Sequence, residues 1–192
     1  MQHFPLSWWQ SEVAAVAPVG HALRTVLSSN WTRFHSLPES KRYAYNDAER
    51  DEIRSRHLTV ANVLFRPGEP LYVYRSRYFE RRLRGKAKHQ LAGRQLQESV
   101  VKLPVHLGAQ SADEDEILSV RALTTTWQPD FYLELLQQIA EDRESGVSFV
   151  APHSKNIYCP YDGGMDVFSF SVSAAELAAR YSNWQSSRPD RL

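Results

Sequence analysis

The chain has 192 residues, 42% hydrophobic and 23% charged, with a formal net charge of +1. That length suits one sizeable core and is short for two, and the composition argues against wholesale disorder. A charge so close to balance excludes a protein that coats nucleic acid by bulk electrostatics and leaves only a local patch able to do so. The lone Cys159 rules out an intrachain disulfide and a thiolate metal cage, and suits a reducing compartment. Residues 1–10 lack the basic start and apolar run of a secretory signal. No stretch approaches the ~20 apolar residues of a membrane span. The expectation is a cytoplasmic protein without a membrane partner.

Val13, Val16, Gly20, Leu23 and Leu27 recur at helical spacing and predict a first helix over about 11–28, its regular part delayed by Pro18. A short strand, 31–35, follows. Ser36-Leu37-Pro38-Glu39 then reads as a capping box opening a helical turn at Ser36. A second helix fits 46–65: acids crowd its start, and Ile53, His57, Leu58, Ala61, Leu64 and Phe65 form its inward stripe. Arg66-Pro67-Gly68 stops it, and 71–74 reads as a strand.

Residues at about 75–116 form a charged excursion. Arg75, Arg77, Arg81, Arg82, Arg84, Lys86, Lys88 and Arg94 face Glu80 alone, and Asp113 to Glu116 close the segment with acids. Beyond it, 120–127 alternates as a strand and 129–145 is the clearest helix. Strands at 147–150, 157–161 and 165–170 follow through short links. Ser173 and Glu176 then cap a last helix that buries Leu177, Tyr181 and Trp184. This order predicts one α+β domain over 1–192, mainly an antiparallel sheet with about four helices packed on it.

Two stretches carry the polar chemistry. The first, WTRFHSLPESKRY, gathers Arg33, His35, Ser36, Lys41 and Arg42 beside a helix start, where backbone N–H groups attract anions. Its plainer reading has Ser36 as a cap, Arg33 paired with an acid such as Asp166, and the other charges solvated. The second is the Asp162-Gly163-Gly164 turn between two strands, where glycines take positive φ without steric cost. Asp166 alternates there with Phe168 and Phe170, so its carboxylate faces apolar neighbours and needs a partner. Two acids are too few for a Mg²⁺ or Ca²⁺ cage, and neither a metal nor a cofactor is expected. His57 lies on an apolar stripe as a satisfied core histidine, and Cys159 sits mid-strand as an inert thiol.

The stretch PVGHALRTVLSSNWTRFHSLPESKRY resembles the N-terminal half of an uncharacterised family of bacterial proteins. IYCPYDGGMDVFSFSVSAAELAARYSNWQ is similar to the module known as domain of unknown function three-eight-eight-five. Tyr161, Asp162, Gly164, Met165, Asp166, Val167, Tyr181 and Trp184 fill the latter's pattern. The resemblance covers roughly 18–65 and 118–187 and brings no agreed activity. It implies a kinship with small partner-binding proteins associated with bacterial toxin systems. It also implies that the two stretches meet, either as a buried ion pair or as the floor of a small polar pocket.

Three functions follow as expectations. The leading one is a non-enzymatic protein that binds a partner, of the toxin-neutralising (immunity) kind, through an exposed face that includes Arg75, Arg77, Arg81, Arg82 and Arg84. The second is an enzyme or binder acting on an anionic or phosphorylated small molecule. Arg33, Ser36, Lys41, Arg42 and Tyr161 would hold it, with His35, Asp162 and Asp166 as the catalytic candidates. The third is RNA or single-stranded DNA binding through the basic excursion, whose arginines alternate with aromatics.

Overall fold

Short, largely apolar runs in the last third of the chain, buried on both faces, build its central strands. The computed structural model describes residues 5–13, 16–80, 90–96, 116–186 and 188. In chain order the elements are α1 (Pro5–Glu12), α2 (Gly20–Val26), β1 (Trp31–His35), α3 (Asp47–Leu64), β2 (Pro70–Glu80), β3 (Gln90–Leu91), β4 (Arg94–Gln95), β5 (Glu116–Thr126), α4 (Pro129–Ala140), β6 (Val147–Val150), β7 (Ile157–Tyr161), β8 (Gly164–Phe168) and α5 (Ala174–Arg180). Six strands form one sheet in the order β1-β8-β7-β6-β2-β5, and every neighbouring pair is antiparallel. Among the described residues β3 and β4 pair only with each other. The α+β expectation holds.

Helices cover both faces of this sheet. On one, Val60 and Leu64 of α3, Leu135, Leu136 and Ile139 of α4 and Leu177 of α5 pack on Phe34, Val73, Phe149, Tyr158, Met165 and Val167. Trp127 stacks on Tyr132 at 5.5 Å between centroids, and Phe149 meets both rings edge-on. Each such aromatic pair adds about 1 kcal/mol beyond the area it buries. On the other face, Trp8 and Trp9 of α1 and Leu23 of α2 cover Tyr74, Val120, Val150, Ile157 and Phe168. The parity of β1 therefore decides what each of its residues meets: Phe34 enters the α3–α5 core, while Arg33 points with Trp31 toward α2.

Several sequence expectations change. The helix expected over 11–28 is two, α1 and α2, and the break between them contains Pro18, whose ring cannot continue an α-helix. Ser36 caps nothing. A 3-10 turn begins two residues later at Pro38, with no side-chain cap bond, and the Ser36 hydroxyl bonds the His57 ring instead. α4 stops at Ala140 rather than Ser145, because Asp142 adopts φ 55 and turns the chain out of the helix. The strand expected at 71–74 continues to Glu80, paired with β5 along its whole length. Arg75 and Arg77 thus belong to the sheet, and the excursion leaves it later than 75.

Other expectations hold closely. β1, β6 and β7 have the predicted bounds. Ser173 accepts the Glu176 N–H at the start of α5, as its capping box predicts, and the structure adds a cap at α3, where Asn46 accepts the Glu49 N–H. Among the described residues no helix is long and apolar enough to cross a membrane.

Candidate functional site

The two signature stretches meet twice, once inside the molecule and once at its surface. Inside, β1 and β8 run antiparallel with Arg33 opposite Asp166. The Arg33 guanidinium donates from Nε to Asp166 Oδ1 at 3.0 Å and from Nη2 to Oδ2 at 3.1 Å. Trp31 Nε1 donates to Oδ1 at 2.8 Å. Arg24 of α2 brings its Nε within 3.3 Å of Oδ2. One carboxylate, 2% exposed, thus serves two arginines and an indole. Arg33 also lies over the Tyr161 ring at 4.9 Å.

Gly20 makes this crowding possible. A Cβ there would stand 2.9 Å from Asp166 Oδ2 and 3.2 Å from the Cys159 Cβ, so only glycine lets α2 lie this close to the sheet. Arg24 follows one helical turn later on the same side, which is how it reaches the carboxylate. Sequence reading missed Arg24; the signal was a glycine and a cation four apart in an otherwise apolar helical pattern.

A cavity of about 370 Å³ opens beside the cluster, lined by α2, β1 and the edges of β6 to β8. Its groups are tuned by burial. Burial pushes the Cys159 thiol up to about 12, and the Tyr161 phenol likewise to about 12. Burial, then the charge of Arg24, lowers His21. The thiol is inert at neutral pH, as expected for Cys159.

At the surface, the β7–β8 hairpin turns through Asp162 and Gly163. The expectation of positive φ at these glycines fails, since neither Gly163 nor Gly164 adopts it. Close approach explains Gly164: a Cβ would stand 2.1 Å from the Phe34 carbonyl oxygen. Against this hairpin lies the segment 36–46. The Ser36 N–H donates to the Gly163 carbonyl at 3.1 Å, Tyr43 donates its hydroxyl to Asp162 at 3.0 Å, and Arg42 pairs with Asp162 at 3.4 Å. Lys41 pairs with Glu49 at 2.6 Å and lies over the Tyr45 ring, while the Tyr45 N–H donates to the same Glu49. Glu39 and Ser40 both take positive φ, a conformation that non-glycine residues hold only when their surroundings impose it. The loop is tied at many points, yet Tyr45 is 84% exposed and the Arg42 side chain 63% exposed.

The expected ligand set is therefore divided. Arg33, Tyr161 and Asp166 share the inner cluster, whereas Lys41, Arg42 and Asp162 belong to the outer loop. The Ser36 side chain joins neither: its hydroxyl, His57 and Tyr158 form a buried chain, at 2.9 Å to Nε2 and 2.6 Å from Nδ1. Burial alone lowers His57 to about 4, so the ring is neutral and serves as a donor at one nitrogen and an acceptor at the other. His35 is buried against the hairpin, and among the described residues its Nε2 has no hydrogen-bond partner. Burial first, then Arg33, lowers its pKa. It bonds neither Asp162 nor Asp166, so the acid–base grouping expected of these three is not assembled.

The basic residues named for partner binding also separate. Arg75 is 2% exposed and donates to both oxygens of Glu144 at 2.7 Å, and Arg77 joins the same carboxylate at 2.9 Å. Both are internal ion partners of the loop after α4, not a free basic face. Arg81, Arg82 and Arg84 lie outside the described residues. No group of three or more acid, histidine or cysteine side chains placed to hold a metal occurs among the described residues.

Both meeting points are built from the motif residues, and the family model described as Domain of unknown function (DUF3885) matches residues 19–189. The chain belongs to that family. The match includes the basic segment between the two signature stretches as well as α2, which supplies Gly20 and Arg24. No curated protein and no solved structure matches the chain.

Proposed function

We propose that this chain is a cytoplasmic, non-enzymatic partner-binding protein, of the immunity kind that neutralises a toxin by occluding it. The observation that carries this reading is the outer loop, where Arg42, Tyr43 and Tyr45 are presented on a backbone already tied to α3 and to the β7–β8 hairpin. Tyrosine and arginine dominate binding energy at protein interfaces, because each offers a large surface and directed polar contacts. A loop ordered before encounter loses little conformational freedom on binding. Such a protein needs surface occlusion and no catalyst, and a lone, buried Cys159 fits a reducing cytoplasm.

The test is capture with a matched variant. Tagged wild type and the double variant Arg42→Ala/Tyr45→Ala are each incubated with extract of the source bacterium, and bound proteins are identified by mass spectrometry. A protein retained by the wild type and lost from the folded variant supports the reading. Equal retention, or no retained protein, counts against it. For the toxin assignment, the captured protein expressed alone should arrest growth, and co-expression of this chain should restore it.

A further inference from the structure

The cavity beneath α2 holds a positive charge that its own wall does not balance. Among its described lining residues Arg24 and Arg33 are cationic and Asp166 is the single carboxylate. Cys159 and Tyr161 stay neutral, each held up at about 12 by burial. An adjoining cavity of about 630 Å³ shares Val19, His21 and Gly146 with it. That neighbour balances itself, Arg77 and Arg143 standing against Asp142 and Glu144. The excess therefore sits at Arg24.

Asp166 cannot satisfy both guanidinium groups. Arg33 takes an aligned bond to each of its oxygens. Arg24 Nε comes within 3.3 Å of Oδ2 but makes no hydrogen bond, and this buried atom has no other partner among the described residues. The Arg24 side chain is 25% exposed, so most of it is out of water while its charge is half-answered. Burial lowers its pKa, the signature of a cation held where charge is costly. A second anion at this point would supply the missing acceptor and the missing charge.

We infer that this cavity binds a small organic anion, a phosphate monoester or a carboxylate, with its charged end against Arg24. About 370 Å³ lies at the lower end of the range for ligand pockets, so the occupant is of metabolite size. Val19, the Cys159 side chain and the Tyr161 ring offer apolar wall for its body. The site is separate from the outer loop, since Arg42, Tyr43 and Tyr45 do not line it.

Calorimetric and thermal-shift titrations of the full chain with inorganic phosphate, phenyl phosphate and benzoate test this. Phenyl phosphate or benzoate should bind saturably at one site per chain, and whichever is tighter names the charged group. Inorganic phosphate should bind more weakly than phenyl phosphate, because it leaves the apolar wall uncovered. Arg24→Gln should weaken binding at least tenfold, with Arg24→Lys intermediate, while Arg50→Gln on α3 leaves it unchanged. If Arg24→Gln does not fold, Arg24→Lys carries the comparison, and the tighter probe must still lose affinity. No saturable binding to folded wild type, or undiminished binding to the Arg24 variants, would overturn the inference.

Discussion

Arg33 and Asp166 face each other across the β1–β8 ladder, and the guanidinium meets both carboxylate oxygens, at 3.0 and 3.1 Å. Among the described residues β1 is an edge strand whose only ladder is with β8. A one-residue slip of β1 would turn Arg33 into the apolar α3–α5 core, bring Phe34 out of it and leave Asp166 without this partner. The pair therefore fixes register as much as it contributes energy. It also gathers α2 onto the sheet through Arg24.

Removing one partner of such a pair is costly because the other charge stays buried. Asp166→Ala strands two guanidinium groups and the Trp31 N–H, and should cost about 3–5 kcal/mol in urea unfolding. Asp166→Asn keeps an acceptor for Trp31 and should cost less. An Asp166→Ala protein unfolding at the wild-type urea concentration would show that the cluster does not hold β1.

Gly164 tests the other contact between the signature stretches. An alanine there places its Cβ against the Phe34 carbonyl, backbone to backbone, where no side chain can swing away. The β1–β8 ladder must open to admit it, at a cost of about 3 kcal/mol. Gly163→Ala, whose added Cβ meets the flexible side chains of Tyr161 and Arg42, should cost far less. Equal thermal stability of the two variants would contradict this account.

The sequence was most legible where local pattern and tertiary role agree. β1, β6 and β7 are short runs set between turn signals, and Ser173 caps the helix it precedes. Ser36 shows why the same logic fails elsewhere: its hydroxyl stands three residues before Glu39 as a cap should, but His57 on α3 offers a buried partner that local pattern cannot reveal. β2 is similar. Arg75 and Arg77 look like the start of a solvated excursion until Glu144, far along the chain, arrives to neutralise them. The Arg33–Asp166 pairing was legible because strand parity left Asp166 on an apolar face in need of a cation. Arg24 was not, because its role depends on how closely Gly20 lets α2 approach.

The Glu144 cluster makes stability sensitive to acid. Burial raises the pKa of this carboxyl, but bonds from Arg75, Arg77 and the Ser145 N–H outweigh it and hold the value below the ordinary 4.5. A depressed carboxylate contributes stability that is present above the unfolded pKa and lost as pH falls through the folded one. Glu144→Gln should be less stable than wild type at neutral pH, and the gap should narrow steadily as pH drops below about 4.5. Urea unfolding across that range measures it; a gap independent of pH would show that the carboxylate charge is not what Arg75 and Arg77 require.

His57 contributes over a different window. Its folded value of about 4 lies below the ordinary 6.5, so between the two the unfolded chain binds the extra proton. Stability from the neutral ring is complete above 6.5 and declines as pH falls toward 4, by roughly 3 kcal/mol in total. His57→Gln should lose about 1–3 kcal/mol at neutral pH, because Ser36 or Tyr158 then lacks a partner. Its own decline between these pH values should be shallower than that of the wild type. Because the Glu144 effect acts chiefly below this window, the two slopes separate in a single pH series. A wild-type curve flat from pH 6.5 to 4 would mean that the ring takes up its proton without leaving the core, and that the Ser36–His57–Tyr158 chain tolerates charge.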